Sequence, residues 1–120
     1  MRLNARVVKG HGRGGSEVGF PTFNLVIPQD FSLTFGIYAA WIWIGEDRYK
    51  GALHFGPVPT FDDPTPSLEI FVLDYNSDLP VVELGFETVA YLREIRTFDT
   101  VSDLSEQIER DVKETRVALS

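Results

Sequence analysis

The sequence predicts an all-β domain, in which six antiparallel strands close into a barrel and one α-helix follows at the C-terminal end. From about residue 3 to residue 92, short runs rich in Val, Ile, Phe, Tyr and Trp are separated by clusters of Gly, Pro, Asp and Asn, a pattern typical of strands and turns. The last 20 residues change to a helical period. A closed barrel is the economical arrangement of such strands, because closure leaves no unpaired edge. Since 120 residues can bury one core, we expect residues 1–120 to form a single domain.

The β-region divides into six predicted strands, at about 3–9, 22–27, 35–45, 48–55, 67–75 and 81–92. Glu46 and Asp47 separate two apolar runs and predict a hairpin turn. Residues 56–66 are predicted to be a loop, because proline cannot donate to a central ladder and this segment contains Pro57, Pro59, Pro64 and Pro66.

The predicted helix covers the final 20 residues, 101–120. Its apolar residues repeat at helical spacing, and charged residues occupy the opposite face. Thr100 or Ser102 is a suitable N-cap, and Asp103 is favourable in the first turn. We expect the apolar face to pack on the barrel.

Composition excludes several kinds of site. There is no cysteine, which removes thiol catalysis, iron–sulfur clusters and Cys-based zinc sites, and the only histidines are His11 and His54. The net charge is 11 − 18 = −7, which disfavours general nucleic-acid binding, because Lys and Arg supply most of the non-specific affinity. Residues 1–19 nevertheless hold four basic residues against one acid, which suggests a local anion site.

Membrane association is not predicted either. The longest uncharged apolar run, residues 37–44, has eight residues, whereas about 20 are needed to span a bilayer. The first residues do not show the basic region followed by an apolar stretch that is typical of a signal peptide. We expect a cytoplasmic monomer that acts on small-molecule substrates, with no nucleic-acid partner and no membrane.

A glycine-rich segment, GHGRGG at 10–15, is the first candidate site. It fits the string G-x-G-x-x-G, but a β-like run follows in place of a helix, and no Gly-Lys-Ser/Thr closes a P-loop. Closely spaced glycines still allow backbone N–H groups to approach an anion, and Lys9 and Arg13 add positive charge. The segment is therefore either a phosphate-binding loop or a flexible surface loop.

Thr22 and Asn24 form the second candidate site. Residues two apart on a strand share one face, so these two polar groups point the same way while Phe23 and Leu25 can enter a core. A hydroxyl and a carboxamide oxygen suit a Mg²⁺ ion that already holds nucleotide phosphates. The alternative is the polar outer face of an ordinary strand.

Glu69 is the third candidate. Alternation places Leu68, Ile70 and Val72 on one face of their strand, and Glu69 on the other with large apolar neighbours. An acid in such a place belongs to a barrel mouth or a pocket, where it is a candidate general base. An exposed strand glutamate is the simpler alternative.

With these motifs in order, the sequence resembles the riboflavin kinase family over essentially its whole length. The matching segments are 7–14 (VVKGHGRG), 19–25 (GFPTFNL), 36–39 (GIYA), 59–61 (PTF), 69–74 (EIFVLD), 91–93 (YLR), Phe98, and the helix from Leu104 with Ile108 and Asp111. The resemblance implies a Greek-key barrel with a C-terminal helix. It also implies an enzyme that phosphorylates riboflavin at the ribityl 5′-hydroxyl with ATP, giving FMN and ADP.

The resemblance also assigns roles to individual residues. On the nucleotide side, Thr22 would ligate Mg²⁺ and contact the ATP phosphates, Asn24 would support the same site, and the loop over the nucleotide would contribute Lys9, Gly10, Gly12, Arg13 and Gly14. On the flavin side, Glu69 would be the catalytic base, and Arg93 would border the riboflavin pocket.

The sequence departs from the family pattern at three places. Residues 80–81 are Pro-Val where the family has Tyr-Gly, His54 stands where Asn is common, and residues 94–95 are Glu-Ile in place of Pro-Glu. All three lie outside the Thr22, Asn24 and Glu69 set, in segments that shape the substrate sites.

Two other functions are compatible with the residues alone. The departures leave open a catalytically weak relative that binds flavin or nucleotide as a sensor or interaction module. A small barrel with Trp41, Trp43 and Tyr49 could also stack the bases of an oligonucleotide. Many bacterial relatives join this domain to an adenylyltransferase that makes FAD. We expect kinase activity without FAD synthesis from these 120 residues.

Overall fold

The computed structural model describes residues 1–8, 21–29, 31–57, 65–77 and 79–120. In these residues six strands and one helix are present. They are β1 (Leu3–Val8), β2 (Thr22–Leu25), β3 (Gly36–Ile44), β4 (Asp47–Gly56), β5 (Ser67–Val72), β6 (Glu83–Arg93) and α1 (Val101–Ala118).

The six strands close into an antiparallel barrel in the order β1-β2-β5-β4-β3-β6, and β6 returns to pair with β1. The consecutive strands β3, β4 and β5 are neighbours, and β6 lies on the far side of β3. Three sequential strands with the next strand beside the first are a Greek key. The predicted fold class is therefore confirmed.

Strand alternation sorts the side chains between the barrel interior and its outer surface, as expected. Leu68, Ile70 and Val72 are almost completely buried in the interior with Leu25, and Phe23 packs against the same cluster. The interior also contains Tyr38, Ala40, Ile42, Leu53, Phe55, Leu84 and Phe86. Every second residue of these strands consequently points out of the barrel, and part of that outer surface is covered by α1.

The hairpin between β3 and β4 turns one residue earlier than the sequence predicts. Asp47 pairs with Ile44, so the two loop residues are Gly45 and Glu46. Gly45 has φ +63°, whereas Glu46 does not adopt a positive φ. Glycine at the first central position is the requirement of a type II′ turn, and its twist matches that of the flanking strands. The predicted Glu46–Asp47 turn is wrong because the glycine, rather than the acidic pair, determines the turn.

Strands β2 and β5 end two and three residues before their predicted limits. β2 ends at Leu25, and β5 ends at Val72 because residues 73–74 form a turn in which Asp74 has φ 60°. Aspartate is one of the few residue types that tolerate this left-handed conformation. Residue 9 of the first predicted strand and residues 58–64 of the predicted 56–66 loop lie outside the described residues.

Helix α1 begins after Thr100, whose side-chain oxygen accepts a hydrogen bond from the Asp103 amide at 3.0 Å. Thr100 rather than Ser102 is therefore the cap. The helix ends at Ala118 and packs against β3, β4 and β6. Its fully buried residues include three polar ones, Gln107, Asp111 and Thr115. Within the described parts of the chain, no helix has the length and apolarity needed to cross a membrane.

Candidate active site

A row of five side chains crosses five strands on the outer surface of the barrel. Asn24 pairs with Glu69, Glu69 with His54, His54 with Ile37, and Ile37 with Arg93. Residues directly opposite each other in an antiparallel sheet project from the same face. Because the neighbouring residues point into the core, this row points out of the barrel.

Helix α1 and the segment that precedes it cover part of this row and enclose a cavity of about 420 Å³. This is the size of a typical small-molecule site. Glu69, His54 and Arg93 line it on the strand side, together with Ile37, Ala52, Leu53 and Phe71. The opposite wall comes from residues 95–101 and from Leu104, Ile108 and Asp111. The cavity therefore combines an apolar lining with a few ionisable groups.

Glu69 is the buried acid of this cavity. It is 7% exposed and lies in the middle of β5, between the interior residues Leu68 and Ile70. The alternation of β5 directs its carboxylate away from the core and into the cavity. The pocket position expected from the sequence is thus the observed one, and the exposed-glutamate alternative is excluded.

Thr22 and Asn24 lie half-buried on β2, at the edge of the same surface. Thr22 pairs with Phe71 and Asn24 pairs with Glu69, so both polar groups are next to the cavity-lining face of β5. Among the described residues no group of three or more His, Asp or Glu side chains could hold a metal ion. Two neutral oxygen donors nevertheless fit a Mg²⁺ ion, which takes its remaining ligands from substrate phosphates and water.

The glycine-rich segment cannot be placed in this geometry. Lys9, Gly10, Gly12, Arg13 and Gly14 all lie outside the described residues. The last described residue before them, Val8, pairs with Asn24 on β2.

Arg93 lines the cavity, and its guanidinium is held by three hydrogen bonds. Nε and Nη2 donate to the two carboxylate oxygens of Asp111, each at 2.8 Å, and Nη1 donates to the Glu94 carbonyl at 2.8 Å. The Arg93 and Asp111 side chains are only 11% and 5% exposed. This bidentate pair ties the end of β6 to α1 and fixes the distance between the two cavity walls.

Gln107 extends the pair into a network. Its Nε2 donates to Asp111 Oδ1 at 3.0 Å, and its Oε1 accepts from Arg96 Nη1 at 3.1 Å. The segment after β6 is thereby attached to α1 at two points. None of Gln107, Arg96 and Asp111 has a role predicted from the sequence. The sequence signal for this network is a pair of polar residues, Gln107 and Asp111, four apart on the core side of the helix.

His54 is a further cavity residue without a role predicted from the sequence. It is half-buried on β4, and its Nε2 lies 3.1 Å from the Gly56 carbonyl oxygen. Its position opposite Glu69 follows from the β4–β5 register, which the sequence alone does not specify.

Comparison with known proteins agrees with this fold. The sequence model described as riboflavin kinase (flavokinase) matches residues 1–119. Human riboflavin kinase is 30% identical over 95% of this chain and 77% of the relative. A bifunctional riboflavin kinase/FMN adenylyltransferase of Bacillus subtilis is 30% identical over 87% of this chain. This chain spans only 34% of that relative, about a third of its length.

A solved structure of a macrolide-efflux protein from Streptococcus pneumoniae has a TM-score of 0.82 and 28% identity to this chain. The match covers 96% of this chain and 38% of that one. The shared barrel and helix, together with the match of the family model over nearly all residues, lead to one assignment. This chain belongs to the riboflavin kinase family.

Proposed function

We propose that this chain transfers the terminal phosphoryl group of ATP to the ribityl 5′-hydroxyl of riboflavin, giving FMN and ADP. The observation that carries the proposal is the position of Glu69. A buried carboxylate lines an apolar cavity of flavin-compatible size, directly beside the Thr22/Asn24 face of β2. Family membership supports the reaction class. The geometry supports Glu69 as the base, the cavity as the flavin pocket and the Thr22/Asn24 face as the nucleotide side.

In the proposed reaction, Glu69 accepts the proton of the 5′-hydroxyl as that oxygen attacks the γ-phosphorus. The new O–P bond forms while the bond between the γ-phosphorus and the ADP oxygen breaks. A base held on a strand within a closed barrel is well fixed, and positioning supplies much of the rate in phosphoryl transfer.

On the nucleotide side, Thr22 and Asn24 would hold Mg²⁺, and the ion would supply charge neutralisation at the phosphates. We also propose that the loop residues Lys9, Gly10, Gly12, Arg13 and Gly14 contact the phosphates through backbone N–H groups and positive charge. Thr22→Ala should therefore weaken Mg²⁺-dependent ADP binding, measured by calorimetry with and without Mg²⁺. Unchanged affinity in this variant would contradict the metal role.

On the flavin side, the cavity under α1 would accept riboflavin with its ribityl end at Glu69. Arg93 lines this cavity, which supports the proposal that it borders the riboflavin pocket. Its three hydrogen bonds indicate that it contributes by holding the wall in place. Direct contact between Arg93 and the flavin stays a prediction.

The test of the proposed function is the variant Glu69→Gln, assayed for FMN formation from riboflavin and ATP with Mg²⁺. We expect the rate of FMN formation to fall by about 100-fold or more, as for loss of a general base. Riboflavin should still bind, which is measured by the quenching of riboflavin fluorescence. Glu109→Gln, which changes an exposed helix acid, is the matched control. If Glu69→Gln forms FMN at the parent rate, Glu69 is not the base.

The same assay separates the enzyme from a catalytically weak relative. A protein that only binds flavin or nucleotide would change riboflavin fluorescence without forming FMN.

We further propose that residues 1–120 work as one domain and as a monomer. Sedimentation equilibrium should then give the mass of a single 13.5 kDa chain.

A further inference from the structure

The cavity has two ends, which are defined by the row of side chains on the barrel surface. Glu69 lies on β5 and Arg93 on β6, three strand spacings apart through His54 and Ile37. Neighbouring strands are about 4.8 Å apart, so the two ends are separated by about 14 Å along the sheet. Because the proposed reaction places the ribityl 5′-hydroxyl at Glu69, the flavin ring extends from there towards the Arg93 end.

Arg96 belongs to the Arg93 end of the cavity. It is an exposed residue of the segment after β6, and it lines the cavity. Its Nη1 donates to Gln107 Oε1 at 3.1 Å, and Gln107 Nε2 donates in turn to Asp111 Oδ1, which also accepts from Arg93. One chain of hydrogen bonds therefore attaches both arginines to α1, and Arg96 has a defined place in the cavity wall.

Arg96 differs from Arg93 in the charge and the donors that remain for a ligand. Arg93 forms an ion pair with the buried carboxylate of Asp111 and makes three hydrogen bonds to fixed partners. The partner of Arg96 is a neutral carboxamide, and in the part of the chain that the structure describes no carboxylate, Asp99 included, lies within ion-pair distance of it. A guanidinium has five N–H donors, and this hydrogen bond uses one. Arg96 thus combines positive charge with several further donors.

The two edges of an isoalloxazine ring differ in chemistry. The dimethylbenzene edge is apolar, whereas the pyrimidinedione edge has two carbonyl oxygens that accept hydrogen bonds. A cationic donor is therefore suited to the carbonyl edge, and a hydrogen bond from a charged group is stronger than a neutral one. The phosphate of FMN forms at the Glu69 end, about 14 Å from Arg93, so it is not the group that Arg96 would bind.

We propose that Arg96 determines specificity for the flavin ring by donating hydrogen bonds to a carbonyl oxygen of its pyrimidinedione edge. The inference rests on the proposed function, because that function assigns the cavity to riboflavin. It fixes the orientation of the ligand, with the ribityl end at Glu69 and the carbonyl edge at Arg96. The acceptors of the phosphoryl group are then ribityl compounds whose ring has a carbonyl oxygen at this edge.

The first test measures the affinity of Arg96→Met for riboflavin without ATP, by the quenching of riboflavin fluorescence. We expect Kd to rise about 10-fold or more, because a hydrogen bond from a charged group is lost. KM for riboflavin should rise with it, while kcat stays within about threefold, since Arg96 is remote from the reacting groups. Arg110→Met, which removes an exposed arginine of α1, is the matched control and should keep the parent Kd. A parent-like Kd in Arg96→Met would overturn the proposal.

Two riboflavin analogues distinguish recognition of the ring from a structural role of Arg96. In 2-thioriboflavin and 4-thioriboflavin, a sulfur atom, which is a weak acceptor, replaces one carbonyl oxygen. The parent should bind one of them about 5- to 10-fold more weakly than riboflavin, whereas Arg96→Met should bind that analogue and riboflavin with similar Kd. A general loss of packing does not change this ratio, because the two ligands are compared within each variant. The same ratio in the parent and in Arg96→Met would show that Arg96 does not bind the carbonyl edge.

Failure of this inference is distinguishable from failure of the proposed function. If the parent forms FMN and Arg96→Met binds riboflavin as the parent does, only the role of Arg96 is wrong. If the parent binds riboflavin with the expected dependence on Arg96 but forms no FMN, the role of Arg96 stands and the kinase reaction is wrong. Absence of riboflavin binding in the parent would overturn both.

Discussion

Replacing Arg93 with methionine tests how α1 is held against the barrel. Two 2.8 Å hydrogen bonds join Arg93 to Asp111, and the side chains are 11% and 5% exposed. Arg93→Met leaves the Asp111 carboxylate buried without its cation, with only the Gln107 amide still donating to it. Removing one partner of a buried ion pair costs about 3–5 kcal/mol. We expect that loss in the free energy of unfolding.

Thermal unfolding followed by circular dichroism measures the effect. For 120 residues the unfolding entropy is about 250 cal/mol/K, so the loss corresponds to a Tm lower by about 12–20 °C. Arg116→Met is the matched control, because Arg116 pairs with Asp74 at the surface, with side chains 43% and 73% exposed. That exposed pair contributes about 0.2–1 kcal/mol, or a Tm shift of about 1–4 °C.

The double variant Arg93→Met/Asp111→Leu distinguishes the contribution of the ion pair to stability from the contribution of helix packing. It buries no unpaired charge, and apolar replacement of a buried pair is often neutral or stabilising. We expect its Tm to lie well above that of Arg93→Met. If the two single variants, Arg93→Met and Arg116→Met, unfold at the same temperature, the buried pair does not anchor α1 and the reasoning is refuted.

Two further predictions concern stability. The hydrogen bond from Arg116 holds the pKa of the Asp74 carboxyl below its usual value, so the pair stabilises the fold above about pH 4 and this contribution is lost as the pH falls through the lowered pKa. The Tm difference between the parent and Arg116→Met should therefore shrink towards about pH 2, and a constant difference would contradict it. Thr115 is fully buried, and its hydroxyl has no hydrogen-bond partner among the described residues. Thr115→Val should raise the free energy of unfolding by about 1 kcal/mol in urea titration, whereas a loss of stability would indicate a bonded hydroxyl.

Local periodicity was sufficient for much of the fold. The period of two along β5 places Leu68 and Ile70 in the interior and Glu69 outside, because alternate side chains of any strand point to opposite faces. The helix is equally readable, whereas the sequence leaves Thr100 and Ser102 as alternative caps and the structure selects Thr100. The Gly45 turn was missed although its signal is also local.

Local periodicity does not specify the order of the strands or their register, because both depend on hydrogen bonds between segments far apart in the chain. The sequence identified Asn24 and Glu69 separately, and only the β2–β5 register places them side by side. The same holds for His54 and Glu69 across β4 and β5. A one-residue slip of either pair would have moved one partner to the other face.

By itself, the sequence determined the all-β class, the face of each strand and the identity of the candidate acid, since these follow from spacing within short segments. The tertiary structure decided that Arg93 pairs with Asp111, 18 residues away, and that α1 closes a cavity over Glu69 and His54. Helical spacing places Gln107 and Asp111 on the same face as Leu104 and Ile108, but it names no partner for a buried carboxylate. Their burial becomes favourable only when β6 supplies the guanidinium that pairs with the carboxylate, and that proximity exists only in the closed barrel.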